Sequence, residues 1–177
     1  MHPEAFAFVQ KTVEMYGPFT SVLDVGGRNI NGSVRGLFPA ATRYVSVDVV
    51  AGPEVDVVAD AADPYLQTDA GPELFKCVVF CEIFEHARRW REVLKQGARH
   101  LDSDGVLIAT TAGPARAPHG AQGEARVADN EWYENIDPSD IYNVLRGIGF
   151  GVYSVETGPS QGGNYAHNSD VYAYAWW

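Results

Sequence analysis

Three carboxylates stand at intervals that would bring them to one edge of a sheet: Asp24, Asp48 and Asp60. Asp24 lies in Ser-Val-Leu-Asp-Val at 21–25, whose length and β-branched content predict a short buried strand, and Gly26 and Gly27 follow it. A glycine pair lets the backbone bend sharply and come close to a ligand. A phosphate cradle needs exposed backbone N–H groups and no carboxylate nearby, because its ligand is an anion. Asp24 therefore sets a negative charge at the mouth of a site suited to a cationic or amine-bearing ligand. Asp48 ends a second apolar run roughly 20 residues after the glycine turn, where a carboxylate can accept hydrogen bonds from both hydroxyls of a ribose. A solvated turn aspartate is the plain alternative. Asp60, in Val-Val-Ala-Asp-Ala at 57–61, suits an exocyclic purine amine, with Ala61 leaving room for the ring. An Asx turn before Pro64 explains it equally well. One ligand with an amine, a ribose and a purine would use all three acids.

A second set of residues is suited to proton transfer. Glu82 and His86 are four apart and share a helical face if a helix begins that early. His86 would then face an acceptor and take its proton, or simply hold a loop at a helix start. His119, in Gly-Pro-Ala-Arg-Ala-Pro-His-Gly at 113–120, sits on a loop over the expected strand ends and is the better-placed base. Trp132 and Tyr133 could stack on or hydrogen-bond an acceptor, or pack the loop. No metal is assigned. Cys77 and Cys81 on one strand would lie about 13 Å apart, too far to share a zinc ion. A set of Glu82, His86 and His119 would need a long-range contact that the sequence does not show. Arg88, Arg91, Lys95 and Arg99 line one side of an expected helix and read as a solvated face, with docking to an acidic partner as the alternative.

The elements that must position these groups follow from periodicity. Phe6, Val9, Val13 and Tyr16 predict an amphipathic helix over 3–16, stopped by Gly17-Pro18. Strands are expected at 20–25, 43–48, 54–59, 76–81 and 105–110. A helix should run from near Asn31 to before Pro39, and another over 84–101, where Ala87, Trp90, Leu94, Ala98 and Leu101 share a face. Residues 112–136 read as a loop. Asp137-Pro138-Ser139-Asp140 has the order of a helix start, with Ile141, Leu145 and Ile148 inward and Gly149 closing. Alternating segments at 150–155 and 171–176 predict a terminal hairpin around Gly158, Pro159, Gly162, Gly163 and Asn164. Apolar strands alternating with helices argue an α/β fold with a mostly parallel sheet and an antiparallel end.

A chain of 177 residues suits one such domain, expected to span 1–177. Thirteen Lys and Arg against 23 Asp and Glu give a net charge of −10, which opposes nucleic acid or anionic lipid as a partner. No apolar stretch approaches the roughly 20 residues of a membrane span, and the charged first turns do not read as a signal peptide. Two cysteines, Cys77 and Cys81, suit a reducing compartment and a disulfide-free fold, so a cytoplasmic protein is expected.

Taken in order, Leu-Asp-Val-Gly-Gly at 23–27, Val-Ser-Val-Asp at 45–48, Val-Val-Ala-Asp-Ala at 57–61, Val-Val-Phe-Cys-Glu-Ile-Phe-Glu-His at 78–86 and Leu-Asp-Ser-Asp-Gly-Val-Leu-Ile-Ala-Thr-Thr at 101–111 resemble the successive motifs of class I S-adenosylmethionine-dependent methyltransferases. Glu-Ile-Phe-Glu-His is similar to the small-molecule, type-11-like branch. The resemblance implies a Rossmann-like, seven-stranded sheet with its last strand inserted antiparallel and helices on both faces. It implies that Asp24, Gly26 and Gly27 hold the methionine end of S-adenosylmethionine, Asp48 the ribose, and Asp60 and Ala61 the adenine. Cys81 and Glu82 would floor the site near the sulfonium, with Arg28, Asn31, Val49 and Ile83 completing the expected cofactor wall. One departure is visible: the family places glycines at alternate positions after the acid, and here Gly26 alone keeps that spacing, with Arg28 and Ile30 at the next two.

The implied activity is methyl transfer to an oxygen, nitrogen or carbon of a small-molecule or sugar-like acceptor, with His119, His86 and Tyr133 as candidate catalytic residues and 112–136 as the acceptor lid. A nicotinamide-dependent oxidoreductase is the rival enzyme, although residues 26–32 lack its Gly-x-Gly-x-x-Gly turn. A binding-only relative of the fold and a partner-binding scaffold using the arginine stripe are the non-enzymatic alternatives.

Overall fold

Phe75–Cys81 is a near-continuous apolar run, as expected of a strand covered on both faces, and residues 77–80 are all buried. In the computed structural model, which describes residues 2–158 and 169–177, this run is β6, near the middle of the main sheet. The other strands are β1 (Ser21–Val25), β2 (Arg43–Asp48), β3 (Val57–Val58), β7 (Leu101–Ala112), β8 (Val152–Gly158) and β9 (Asp170–Trp176), and β4 (Gln67–Thr68) with β5 (Gly71–Pro72) forms a separate small hairpin. The seven-stranded order is β3-β2-β1-β6-β7-β9-β8. Pairs from β3 through β7 are parallel, and β9 runs antiparallel between β7 and β8. The chain moves outward from β1 to β3 and then returns to the other side of β1, so the order reverses between β1 and β6. Ligands of open α/β sheets bind outside the carboxyl ends of the strands at such a switch point.

Helices cover both faces. On one side α1 (Pro3–Tyr16) packs Val9 with Val22, Cys77, Val79 and Ile108. On the other, α2 (Trp90–Ala98) and α3 (Pro138–Ile148) contribute Trp90, Leu94, Ile141 and Leu145 to a core with Leu23, Phe80 and Leu107. The approach of α2 is close: a Cβ on Gly97 would fall 2.2 Å from Phe80 Cζ. Asp137 caps α3 by accepting the Ser139 N–H at 2.8 Å, an interaction worth ~1 kcal/mol, and Gly149 ends the helix with a left-handed φ of 100°.

Four expectations are corrected. The helix from Asn31 shrinks to one 3-10 turn at Arg35–Leu37, because side chains capture its first donors: Asn29 Oδ1 accepts from Gly32 N and Ser33 Oγ from Arg35 N. The helix over 84–101 is confined to Trp90–Ala98. It is preceded by a 3-10 turn at Phe84–His86 and an extended Ala87, and Leu101 already belongs to β7. The strand at 54–59 is two residues long, since Glu54 takes a positive φ of 66° and Asp56 turns its carboxylate back to the Ser46 N–H. Finally, β7 begins at Leu101 and not at 105, with Lys76 bonding both Asp102 and Asp104 where its register with β6 shifts. The connection expected to carry Pro159, Gly162, Gly163 and Asn164 lies outside the described residues. Among the described residues no helix is long and apolar enough to cross a membrane.

Candidate functional site

A cavity of about 980 Å³ opens at the carboxyl ends of β1, β2, β3 and β6. Its walls include every residue assigned to the cofactor from the sequence: Asp24, Gly26, Gly27, Arg28, Asn31, Asp48, Val49, Asp60, Ala61, Cys81, Glu82 and Ile83. The turn after β1 is tied to β2 by the Gly26 and Gly27 N–H groups, which donate to Val47 O at 2.7 and 3.3 Å. Gly26 has φ of 78°, and a Cβ there would lie 2.6 Å from Ile83 Cδ1. A Cβ on Gly27 would lie 2.4 Å from Ser46 Oγ and 2.6 Å from Asp24 Oδ2. Both glycines are thus demanded by close packing around the turn as well as by its shape.

Asp24 is not at the mouth of the cavity. It is 2% exposed, beneath Gly27, and its Oδ2 accepts the Tyr44 hydroxyl at 2.7 Å. Burial pushes its pKa up to about 6, opposed by the Tyr44 hydrogen bond and the Arg35 charge. Asp48 is half-buried at the end of β2 and turns one oxygen to the Val50 N–H at 2.9 Å. Asp60 has both of the characters read from the sequence, since it caps an Asx turn through the Ala62 N–H at 2.9 Å and also borders the cavity. Arg89 approaches its other oxygen at 3.7 Å.

After β6 the chain turns through Glu82, whose φ of 57° is left-handed. No helix starts there, so Glu82 and His86 do not share a helical face. Glu82 Oε2 instead meets His2 Nε2 at 2.6 Å. Burial works against its charge, but His2 and Arg116 hold its carboxyl below the usual carboxylate range. Arg116 also donates to Asp170 at 2.7 Å and lies 2.6 Å from His2. Neither His2, Arg116 nor Asp170 was singled out in the sequence. An arginine in the 112–136 loop, with no acidic neighbour beside it, was the one signal available. Cys81 has Sγ 3.3 Å from Thr110 Oγ1, and burial pushes its thiol up, so it is no nucleophile at neutral pH.

The acceptor candidates converge. His86, His119 and Tyr133 form a mutual edge-to-face trio with ring centroids 5.1–5.5 Å apart. His119 is delivered by the 112–136 segment, which folds back over the cavity and donates from its Asn135 side chain to Gly113 O and Arg116 O. The Glu134 N–H donates to Glu85 O, bringing Tyr133 against the 3-10 turn. Burial, then the neighbouring His119, lowers the His86 pKa to about 4, and burial also lowers His119, so both rings are neutral at pH 7. Burial and the nearby Glu82 charge raise Glu85. Trp132 turns outward and carries the Arg88 guanidinium 5.2 Å over its ring. With Arg91 paired to Asp140 at 2.7 Å, the basic stripe is divided between two separate contacts.

No protein-family model matches the chain, and no curated protein matches it. Solved structures do. The Burkholderia thailandensis 1,6-didemethyltoxoflavin-N1-methyltransferase, crystallised with 1,6-didemethyltoxoflavin and S-adenosylhomocysteine, superposes over 98% of this chain and 76% of its own at 15% identity, with a TM-score of 0.67. The N-terminal domain of EvdMO1, crystallised in the presence of S-adenosylhomocysteine and D-fucose, covers 99% of this chain and 83% of its own at 16% identity and a TM-score of 0.64. The fold is that of the class I S-adenosylmethionine-dependent methyltransferases. The N-methyltransferase NodS of Bradyrhizobium japonicum, in complex with S-adenosylhomocysteine, matches it over 98% of this chain and 87% of its own at 14% identity and a TM-score of 0.63. The fold class, the seven-stranded, mostly parallel sheet and its antiparallel last strand thus agree with the expectation drawn from the motifs.

Proposed function

We propose that this chain is an S-adenosylmethionine-dependent methyltransferase acting on a small-molecule or sugar-like acceptor. The observation that carries the reading is the convergence of Asp24, the Gly26-Gly27 turn, Asp48, Asp60 and Glu82 on one cavity at the switch point of this sheet. The residues present fit the cofactor. Gly26 and Gly27 bring bare backbone to the cavity wall where a Cβ would collide. Asp48 borders the cavity at the second strand end, where a ribose would lie. Glu82 borders the cavity floor with its carboxyl held by His2 and Thr110. Asp24 and the turn would hold the methionine end, Asp48 the ribose, and Asp60 with Ala61 the adenine. Arg28, Asn31, Val49 and Ile83 complete the wall. A −10 chain with these acids suits a cationic nucleoside better than a dinucleotide.

When bound, the cofactor supplies a methyl group on a sulfonium, already activated, so in-line placement of the acceptor supplies much of the rate. The chain's own part is to hold that line and keep water out. His86, His119 and Tyr133 face the acceptor end, the 112–136 segment covers it, and the neutral imidazoles can accept a proton if the acceptor carries one. We place the enzyme in the cytoplasm, since a chain with two cysteines suits a reducing compartment. A turnover screen for S-adenosylhomocysteine release across hydroxyl, amine and carbon-acid acceptors tests the proposal. Release with at least one class is the expected result, and cofactor binding without release in any class would favour a binding-only relative.

A further inference from the structure

Next to the acceptor end of the cavity, one ligand atom each from Glu85, His86 and His119 lies within 4.8 Å of the other two. We infer that these three side chains form a binding site for a divalent transition metal. Glu85 is fully buried, 0% exposed, with Thr111 Oγ1 donating to its Oε2 at 2.7 Å and the Glu85 and Ala112 N–H groups also acting on its carboxyl. His86 Nδ1 is buried and has no hydrogen-bond partner among the described residues. On His119, Nδ1 faces Ala117 O at 3.1 Å, an orientation that leaves Nε2 for a metal. A buried imidazole nitrogen without a partner is costly unless something binds it.

The geometry is near that of a loaded site. Two ligand atoms on one zinc ion at bond lengths of 2.0–2.1 Å lie about 3.3 Å apart, so the three atoms need to close by at most about 1.5 Å on loading. His119 comes from the 112–136 loop, while Glu85 and His86 belong to the 3-10 turn at Phe84–His86. Two imidazoles and one carboxylate suit zinc, cobalt, manganese or iron, and are a poor set for magnesium or calcium, which prefer all-oxygen shells. Three protein ligands leave a coordination position open. Both histidines line the cavity, so that position faces the space where the acceptor lies, and an oxygen-bearing acceptor would complete the set. Metal binding itself does not depend on the methyltransferase reading, but the acceptor class does. In the loaded protein the imidazoles ligate the metal and do not take the acceptor's proton. A second trio, His2, Glu82 and Asp170, meets the same distance criterion but holds the Arg116 guanidinium 2.6 Å from His2 and 2.7 Å from Asp170, which repels a cation.

The test uses tag-free full-length protein stripped with a chelator and titrated with cobalt chloride, reading the visible d–d absorption and its reversal by zinc chloride. One equivalent should bind, and His119→Ala and Glu85→Gln should each raise the cobalt dissociation constant at least tenfold. S-adenosylhomocysteine affinity, measured on the same samples by calorimetry, should be unchanged by His119→Ala, showing that the variant is folded. Absence of stoichiometric cobalt binding by the wild type, or equal binding by both variants, overturns the site. Cobalt binding by a wild type that does not bind S-adenosylhomocysteine would uphold the metal site and sink the methyltransferase reading. The reverse pattern would do the opposite.

Discussion

Asp24→Asn removes a charge that the fold makes costly. The Asp24 carboxyl is 2% exposed and its pKa is raised from 3.8 to about 6, mainly by burial. A folded pKa above the unfolded one means that the native state prefers the proton. Stability from this group is therefore fully present below about pH 4 and is lost as the pH rises to about 6 and beyond. A shift of roughly two units at 1.36 kcal/mol each makes the loss about 3 kcal/mol at pH 7. Asparagine keeps the shape and can still accept the Tyr44 hydroxyl, so the variant should lack this dependence. In urea, with a slope of about 2 kcal/mol per molar, the midpoint of the variant relative to wild type should rise by about 1.2 M between pH 4 and pH 7, since about 0.5 kcal/mol is already lost at pH 4. Parallel midpoints across that range would refute the buried-charge reasoning. The same charge is the proposed counter-ion of the ligand's ammonium group. S-adenosylhomocysteine should therefore bind wild type more weakly at pH 5 than at pH 7.5, and Asp24→Asn should flatten that profile while weakening binding at pH 7.5. The Arg35 charge opposes the rise in the Asp24 pKa, and the Glu54 and Asp48 charges add to it.

Other perturbations follow from the same geometry. Asp48→Ala should weaken S-adenosylhomocysteine binding by no more than a few kcal/mol, since each hydrogen bond to a charged group contributes ~1.5–3 kcal/mol, and an unchanged calorimetric affinity removes Asp48 from the site. His119→Ala should spare that affinity and lower turnover, and undiminished turnover would assign the imidazole to packing of the loop. Gly27→Ala should lower stability by about 1–3 kcal/mol in urea melts, because its Cβ would meet Ser46 Oγ at 2.4 Å. Asp137→Ala should cost ~1 kcal/mol through loss of the α3 cap and leave cofactor binding alone.

The strand ends were legible in the sequence because buried parallel strands announce themselves as apolar runs, and the acid at each end then falls beside the cavity. α3 was legible for a different reason: Asp137, Pro138 and Gly149 each carry one local conformational rule. What periodicity missed was local competition for backbone donors. Asn29 and Ser33 take the N–H groups that would have started a helix after Gly32, and the extended Ala87 breaks the run expected from 84, so that the helix starts only at Trp90. Nor could spacing reveal that His2, 80 residues before Glu82, would bond to it, or that His119 would close on His86. Such contacts are made by the fold and not by neighbours in the chain. Asp24 shows the opposite failure. Its chemistry was read correctly as acidic and close to the turn, but its depth was not, because Tyr44 supplies the donor that lets it be buried.

Calorimetric titration of the purified protein with S-adenosylhomocysteine, and separately with NADH, tests the central claim most directly. Saturable one-to-one binding of S-adenosylhomocysteine and no heat from NADH is the predicted result. Affinity for NADH with none for S-adenosylhomocysteine would contradict it and return the cavity to a dinucleotide.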